Sequence, residues 1–416
     1  MASIVLGVSG GIAAYKACEL LRRLKDDGHD VTPIPTPATL GFVGETTWAA
    51  LSGKPIRTRV DEDAHLVPHV TMGRAADLVF VAPATADLMA RVAAGRCDDL
   101  LTATILTATC PIVMAPAMHT EMWLNAATQA NVATLRERGI TVIDPAEGRL
   151  TGADTGPGRL VEPAELLLHA RSVLADPEVA RSAARQDLAG VRLVVSAGGT
   201  REQLDPVRYL GNHSSGLMGF AIARAARLRG ATVTVVAGAV DHEPPAGCTV
   251  EEVVSTADLD AAMRRHEADA DAIVMAAAPA DFTPASRADG KIKKDDESSR
   301  LQLDLVQTPD VLHGLAQRRD ASSTSATGTR RTPLLVGFAA ETAGSVEALT
   351  DLARAKRRRK GCDLIVANDV SGGAIFGAAD TSTLLVDEER AIPVAGDKNV
   401  VGHRIVDWVS SQQSAD

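Results

Sequence analysis

The sequence predicts an α/β protein of two doubly wound parallel-sheet domains. Three observations carry that expectation. A chain of 416 residues exceeds what one hydrophobic core usually organises. Two segments, SIVLGVSGGIAAYKACELLRRLKDDGHDVTPIPT (3–36) and VRLVVSAGGT (191–200) with MGFAIARAARLRGATVTVVAG (218–238), each read as strand, glycine turn, amphipathic helix, glycine stop and strand. Each later apolar run ends in a small or polar loop, at the edge where open α/β sheets bind ligands.

Taken in order, the first strand leaves through Ser9-Gly10-Gly11 into a helix, and the second ends at Pro35-Thr36. DLVFVAPAT (77–85) and CPIVMAPAM (110–118) are further strands, each closing on Pro-Ala. LLLHARSVLADPEVARSAARQDLAG (166–190) reads as a closing helix and a polar, alanine-rich connector. The expected organisation is a domain over 1–180, a linker over 181–190 and a second domain over 191–416. In that second domain the chain has already turned at Gly198-Gly199 when it adds NHSSGLMG (212–219) ahead of its helix. One glycine turn suffices to leave a strand, so the added polar cluster suggests a loop wrapped around a ligand. DAIVMAAAPADF (271–282), LLVGFAAET (334–342) and CDLIVANDV (362–370) supply the next strands, and RRDASSTSATGTRRT (318–332) reads as a surface loop.

Composition narrows the class. Hydrophobic residues at 45% with aromatics at only 3% describe a soluble α/β enzyme packed with small side chains. The balance of 43 Lys+Arg against 53 Asp+Glu, a net charge of −10, argues against nucleic acid as a partner. Cys18, Cys97, Cys110, Cys248 and Cys362 show no metal or disulfide spacing, which reads as reduced thiols in a cytoplasm. No h-region with a cleavage site opens the chain and no run of 18 apolar residues occurs, so neither secretion nor a membrane partner is expected.

Neither glycine turn matches the dinucleotide pattern. The second strands end in Pro35-Thr36 and Ala237-Gly238, without the acidic residue that binds ribose hydroxyls in such sites. Ser9, Gly10 and Gly11 at a helix start can still cradle one phosphate through backbone N–H groups, assisted by Thr36. Alone, that stretch reads more simply as a tight connection with no ligand.

The residues then carry a resemblance. GVSGGIAAYKA, PATADL (83–88) and PAMHTEMW (116–123) resemble the motifs of the FMN-binding, flavodoxin-like cysteine decarboxylases. SAGGTREQLDPVRYLGNHSSGLMGFAIA, ADF, KIKK, GFAAET and ANDV resemble the phosphopantothenate–cysteine ligases. Nearly end to end, the chain is similar to the bacterial bifunctional phosphopantothenoylcysteine decarboxylase/phosphopantothenate–cysteine ligase family of coenzyme A biosynthesis.

The resemblance implies a second domain, Rossmann-like and CTP-binding, that activates 4′-phosphopantothenate as an acyl-cytidylate, from which L-cysteine displaces CMP. Asn212 matches the asparagine that holds the activated acyl group, although by itself it reads equally as a helix N-cap. Lys291 opens KIKK, on composition a solvated patch and by resemblance a contact to the CTP phosphates. Asp281, otherwise a turn-capping carboxylate, is placed to share Mg²⁺ or Mn²⁺ with the triphosphate. Lys356 and Lys360 of KRRRK stand four apart and so share a helix face. The resemblance adds Arg208, Met275, Ala276, Ala277, Pro309, Asp310, Val311 and Phe338 to the substrate contacts, and leaves Arg357 to Arg359 solvated.

For the first domain it implies FMN held by Ser9, Gly10, Gly11, Thr36 and Pro83, Ala84 and Thr85. The chemistry is oxidation of the cysteinyl thiol, loss of the adjacent carboxylate, and reduction of the resulting enethiol. His69 matches the catalytic histidine, and Met118 and His119 the substrate loop. Two departures stand out: His119 occupies an asparagine position, and LTGADTGPGR puts Gly152 where the family's flap often has cysteine, leaving the proton donor unassigned. An active ligase fused to a non-catalytic flavin scaffold is the alternative that this departure raises. The family's assemblies imply a homo-oligomer of decarboxylase-domain trimers and ligase-domain dimers.

Overall fold

Strands β1 (Ser3–Val8), β2 (Asp30–Pro35), β3 (Leu78–Ala84), β4 (Ile112–Pro116) and β5 (Thr141–Val142) form one parallel sheet in the order β2-β1-β3-β4-β5. Every residue of β3 is buried, because helices cover both faces of a parallel sheet, which is why LVFVAPA shows no alternation. The structure is a computed structural model that describes residues 1–150, 152, 154–293, 301–323, 332–370 and 380–413. It divides into two units, Met1–Asp187 and Leu188–Asp416.

The first sheet has the flavodoxin-like order, in which connections leave β1 and β3 in opposite directions and open a crevice between their carboxyl ends. One face packs Val5, Val79, Val81 and Met114 against Leu88, Leu101 and Leu135 from the covering helices. An antiparallel hairpin, β6 (Ala146–Arg149) and β7 (Thr155–Arg159), follows β5 in the chain as a separate two-stranded sheet. The expected connector is different from its reading: Glu178–Arg185 is a helix with Val179, Ala180, Ala183 and Ala184 buried. Thr141 donates its hydroxyl to the Ala180 carbonyl at 3.0 Å, tying this helix to the first unit.

The second unit contains, in chain order, β8 (Arg192–Ala197), β9 (Arg201–Gln203), β10 (Tyr209–Gly211), β11 (Thr232–Ala237), β12 (Thr249–Glu252), β13 (Ala272–Met275), β14 (Phe282–Pro284), β15 (Leu305–Gln307), β16 (Leu334–Glu341), β17 (Leu364–Asp369), β18 (Asp380–Val386) and β19 (Ala391–Asp397). Among the described residues the main sheet runs β12-β11-β8-β13-β16-β17-β18-β19, and its first six strands are parallel in the Rossmann order. Its last two are antiparallel, a mixed edge that the expectation of a purely parallel sheet did not contain. Side chains alternate across the strands. Val195, Val235, Val274 and Val336 meet the helices Leu217–Leu228 and Lys398–Gln413, while Val194, Val236, Ile273 and Leu335 meet Thr256–Glu267, Val311–Ser323 and Val346–Lys360. Helices Leu217–Leu228 and Lys398–Gln413 pack so closely that a Cβ on Gly402 would lie 2.9 Å from the Ala221 backbone.

Two further expectations change. The segment read as a loop over 318–332 is helical to Ser323, and its residues 324–331 lie outside the described residues. Asn212 caps no helix, since the helix begins at Leu217 behind Gly216 in the left-handed region.

Candidate active sites

In the first unit the crevice between β1 and β3 is organised by Ser9. Its hydroxyl donates to the Pro83 carbonyl and accepts from the Thr85 amide, both at 2.8 Å, so the two loops at the switch point are joined through one side chain. Thr39 donates to the Val8 carbonyl at 2.7 Å, so the Thr36 hydroxyl, 3.0 Å away, donates to Thr39. The Thr36 hydroxyl expected to assist a phosphate is therefore engaged within the protein, as is that of Ser9, and the turn offers an anion chiefly its backbone. A cavity of about 570 Å³ is lined by Ser9, Gly10, Thr36 and Thr85 with Arg91, Asp98 and Asp99. A second, of about 730 Å³, is lined by Gly10, Gly11, Pro83, Thr85, Met118 and His119, with apolar Ile12, Met122 and Leu160. The two share Gly10, Thr85 and Met122. Glycine at position 10 is required by contact: a Cβ there would lie 2.7 Å from that of Ala38. Apolar walls beside a glycine turn suit a planar aromatic group carrying a phosphate.

Of the predicted cofactor residues, Ala84 departs: its side chain is fully buried in the sheet core and lines neither cavity. Arg91, bridging Asp98 at 2.9 Å and Asp99 at 2.7 Å, and Lys16, Arg149 and Arg159 are lining residues that sequence reasoning missed. His69 lies half-buried in the helix Pro68–Ala75 and lines neither cavity. Its Nδ1 is buried without a hydrogen-bond partner among the described residues.

The β6–β7 hairpin is docked onto the loop that carries Met118 and His119. Met118 donates its amide to the Gly158 carbonyl at 2.9 Å, and Gly158, at φ +148°, passes so near that any Cβ would overlap the Met118 carbonyl oxygen. At the tip, Leu150 donates to the Asp154 carbonyl at 3.0 Å and Gly152 to the Asp154 carboxylate at 3.1 Å; residues 151 and 153 lie outside the described residues. The Asp154 carboxylate stands 3.0 Å from His119 Nδ1. Backbone N–H groups and His119 hold that carboxyl below its usual range.

In the second unit a cavity of about 520 Å³ opens at the carboxyl ends of β13 and β16. It brings together the predicted Met275, Ala277, Asp281, Pro309, Asp310, Val311, Phe338, Lys356 and Lys360. The two ammonium groups are poised by carboxylates: Lys356 by Glu341 at 3.0 Å, Lys360 by Asp310. Burial raises the Asp310 carboxyl, but Lys360 and the His313 amide outweigh it, so it lies below the ordinary value. Among the described residues no group of three His, Cys, Asp or Glu side chains forms a metal cage; Asp281 and Asp310 are the carboxylates that line this cavity.

Asn212, Arg208, Ala276 and Lys291 are not among the residues lining this cavity. Asn212 is exposed beside it and donates Nδ2 to the Pro279 carbonyl at 2.8 Å, which fixes the polar loop to the β13 end. Gly198, at φ +80°, makes the turn beneath, where a Cβ would overlap the Ala239 carbonyl oxygen. Arg208 and Lys291 gather around Asp205, which sequence reasoning missed. Asp205 is fully buried and accepts the amides of Val207, Arg208 and Ile292 at 2.7, 2.8 and 3.1 Å. Arg208 donates to the Ile292 carbonyl, so exposed Lys291 is held through its neighbour, without a hydrogen bond of its own side chain among the described residues.

A flavodoxin-ordered sheet and a Rossmann-ordered sheet, each with a cavity at its carboxyl edge, define a two-part α/β enzyme. Residues 1–173 match the family profile Flavoprotein, and 188–412 match the DNA/pantothenate metabolism flavoprotein C-terminal domain. The chain is 49% identical over 411 residues to the coenzyme A biosynthesis bifunctional protein CoaBC of Mycolicibacterium smegmatis, covering 98% of this chain and 97% of the relative. It is 40% identical over 412 residues to that of Escherichia coli, covering 98% and 96%. A crystal structure of the C-terminal domain of such a protein is 29% identical, covers 56% of this chain and all of its own, and has a TM-score of 0.44. The chain belongs to the family of coenzyme A biosynthesis bifunctional proteins.

Proposed function

We propose that this chain ligates L-cysteine to 4′-phosphopantothenate at the expense of CTP and decarboxylates the product, phosphopantothenoylcysteine, to 4′-phosphopantetheine. The observation that supports this reading is that part of each half's motif set, Gly10, Gly11, Pro83, Thr85, Met118 and His119 in one and Asp281, Asp310, Lys356 and Lys360 in the other, lines a cavity at the carboxyl edge of that half's own sheet. In the ligase half, Lys356 and Lys360 face the triphosphate, Asp281 shares Mg²⁺ or Mn²⁺ with it, and Lys291 and Arg208 contact phosphates from the Asp205-anchored loop. Asn212, already oriented by Pro279, presents its amide to the acyl oxygen on which charge develops.

In the decarboxylase half, the glycine turn and the Pro83–Thr85 loop hold FMN with its phosphate on backbone N–H groups. When bound, FMN supplies the oxidation and re-reduction at the cysteinyl carbon. Met118 and His119 position the substrate carboxylate under the hairpin, and His69, with an unpaired buried Nδ1, takes part in proton movement. The exposed Ile12, Tyr15, Met122 and Leu124 around the first unit's cavities, and Leu301, Leu303, Leu305 and Val306 in the second unit, support assembly through trimeric and dimeric contacts. Five free cysteines accord with a cytoplasmic location. Among the described residues no helix is long and apolar enough to cross a membrane.

The test is direct. Purified protein incubated with 4′-phosphopantothenate, cysteine, CTP and Mg²⁺ should yield 4′-phosphopantetheine by mass, with CTP far better than ATP. Equal turnover with ATP, or product that stops at phosphopantothenoylcysteine, would sink the corresponding half of the reading.

A further inference from the structure

The decarboxylase half needs a proton at its last stage, and the hairpin that closes its cavity carries no thiol. Oxidation converts the cysteinyl CH₂–SH to a C=S group. The bond to the carboxylate then breaks with its electron pair moving toward sulfur, releasing CO₂ and an enethiolate. To reach the saturated thiol, the carbon that lost the carboxylate must gain a proton. The hydride removed at the outset then returns to the sulfur-bearing carbon, so no further reductant is consumed. The five cysteines lie elsewhere in the sequence, and none lines either cavity of the first unit.

We propose that His119, oriented by Asp154, is the group that delivers this proton, replacing a flap cysteine. The inference rests on the decarboxylase reading above. Among the proton-bearing side chains on the cavity wall, Lys16 is engaged by Glu162 at 2.8 Å and by the Leu160 carbonyl. Arg149 and Arg159 do not give up protons, and among the described residues no hydrogen bond orients the Tyr15 hydroxyl, whereas Asp154 orients His119. His119 lines the cavity between Met118 and the hairpin, with its backbone fixed as the first residue before the short helix Thr120–Trp123. The Asp154 carboxylate accepts only, so the Nδ1 facing it at 3.0 Å must carry hydrogen, and Nε2 is the nitrogen left to exchange protons with substrate. The carboxylate also balances the charge of the doubly protonated ring, the geometry by which a histidine is kept oriented in acyl-transfer triads. The ring is about half exposed, which allows it to recover a proton from water.

The experiment compares wild type, His119→Asn, Asp154→Asn and the double variant His119→Asn/Gly152→Cys on supplied phosphopantothenoylcysteine without air, following CO₂, product mass and flavin colour. His119→Asn keeps a hydrogen-bond donor for the substrate carboxylate, so CO₂ release should slow without ceasing, but its product should be the enethiol, lighter by two hydrogens, and its flavin should stay bleached. Asp154→Asn should release a mixture of both products. Gly152 is not in the left-handed region and a Cβ there meets only the end of the Asp154 side chain, at 2.9 Å, so a cysteine is admissible; it should restore the saturated thiol to His119→Asn. In flavin-free protein, the Nδ1 proton of His119 should give a downfield resonance that Asp154→Asn removes, an outcome independent of turnover. Saturated thiol from His119→Asn at the wild-type rate, or loss of CO₂ release in that variant, overturns the assignment. Wild type that releases no CO₂ at all overturns the decarboxylase reading, and this inference with it.

Discussion

Asn212 donates its side-chain amide to Pro279, and in the proposed ligation its replacement by aspartate keeps the size of the group while turning a donor into a charge beside a developing negative charge. Asn212→Asp should lower the ligation rate by about 10²- to 10³-fold, the usual consequence of losing an oxyanion donor, measured as CMP release. Asp205 makes a different statement. Burial raises its carboxyl, but three amides and the charge of Arg208 outweigh this, so in the folded protein it ionises below its ordinary value near 3.8. A depressed carboxyl contributes stability that is present above the unfolded value and is lost as pH falls through the folded one. Asp205→Asn, with a single acceptor oxygen for three N–H groups, should therefore melt lower than wild type at neutral pH and lose less on acidification from about pH 5 to about pH 3. A variant whose melting temperature falls as steeply as wild type over that window would show that Asp205 does not anchor the loop.

At the level of elements, the hairpin and its docking glycine decide the first site. Gly158→Ala places a methyl group against the Met118 carbonyl at a φ that side chains avoid, a strain of about 1–3 kcal/mol that is most readily relieved by lifting the hairpin. Decarboxylation should fall sharply while ligation by the same preparation is unchanged; equal retention of both would mean that the hairpin does not close the cavity. These elements also show what the sequence made legible. Strands β3, β13 and β17 announce themselves as continuous apolar runs because both of their faces are covered. The helix Glu178–Arg185 does not, since its buried stripe is one valine and several alanines, too small to stand out against its arginines. The antiparallel β18 hides its inward face in buried Thr381 and Thr383. The glycine turns and the Lys356/Lys360 face were readable from local spacing. The His119–Asp154 pair was not, because it spans 35 residues and exists only once the hairpin is docked, and Asp205 read as an ordinary turn residue until its three amide partners were seen.

For the whole molecule, each half has its own sheet and its own buried clusters, which makes their chemistries separable. His69→Asn in the full chain should abolish decarboxylation and leave ligation intact, and cutting the chain between Asp187 and Leu188 should give a yellow fragment and a CTP-dependent ligase. A split that destroys both activities would show that the halves depend on one another. If the exposed apolar residues near the cavities are assembly contacts, the full chain should sediment at micromolar concentration well above its 43.4 kDa mass. One feature of the second unit also sets an order in time. Val401, Ile405, Val406 and Val409 from the final helix share a buried cluster with Val195 and Phe220 near that unit's beginning, with Gly402 against Ala221. Chains emerge from the ribosome at about 5–20 residues per second, with the N-terminal domain folding first. The flavin half can thus be complete while the ligase half is still being made, but the ligase core cannot close until the helix Lys398–Gln413 has been made. A stalled nascent chain should bind flavin and make no amide bond.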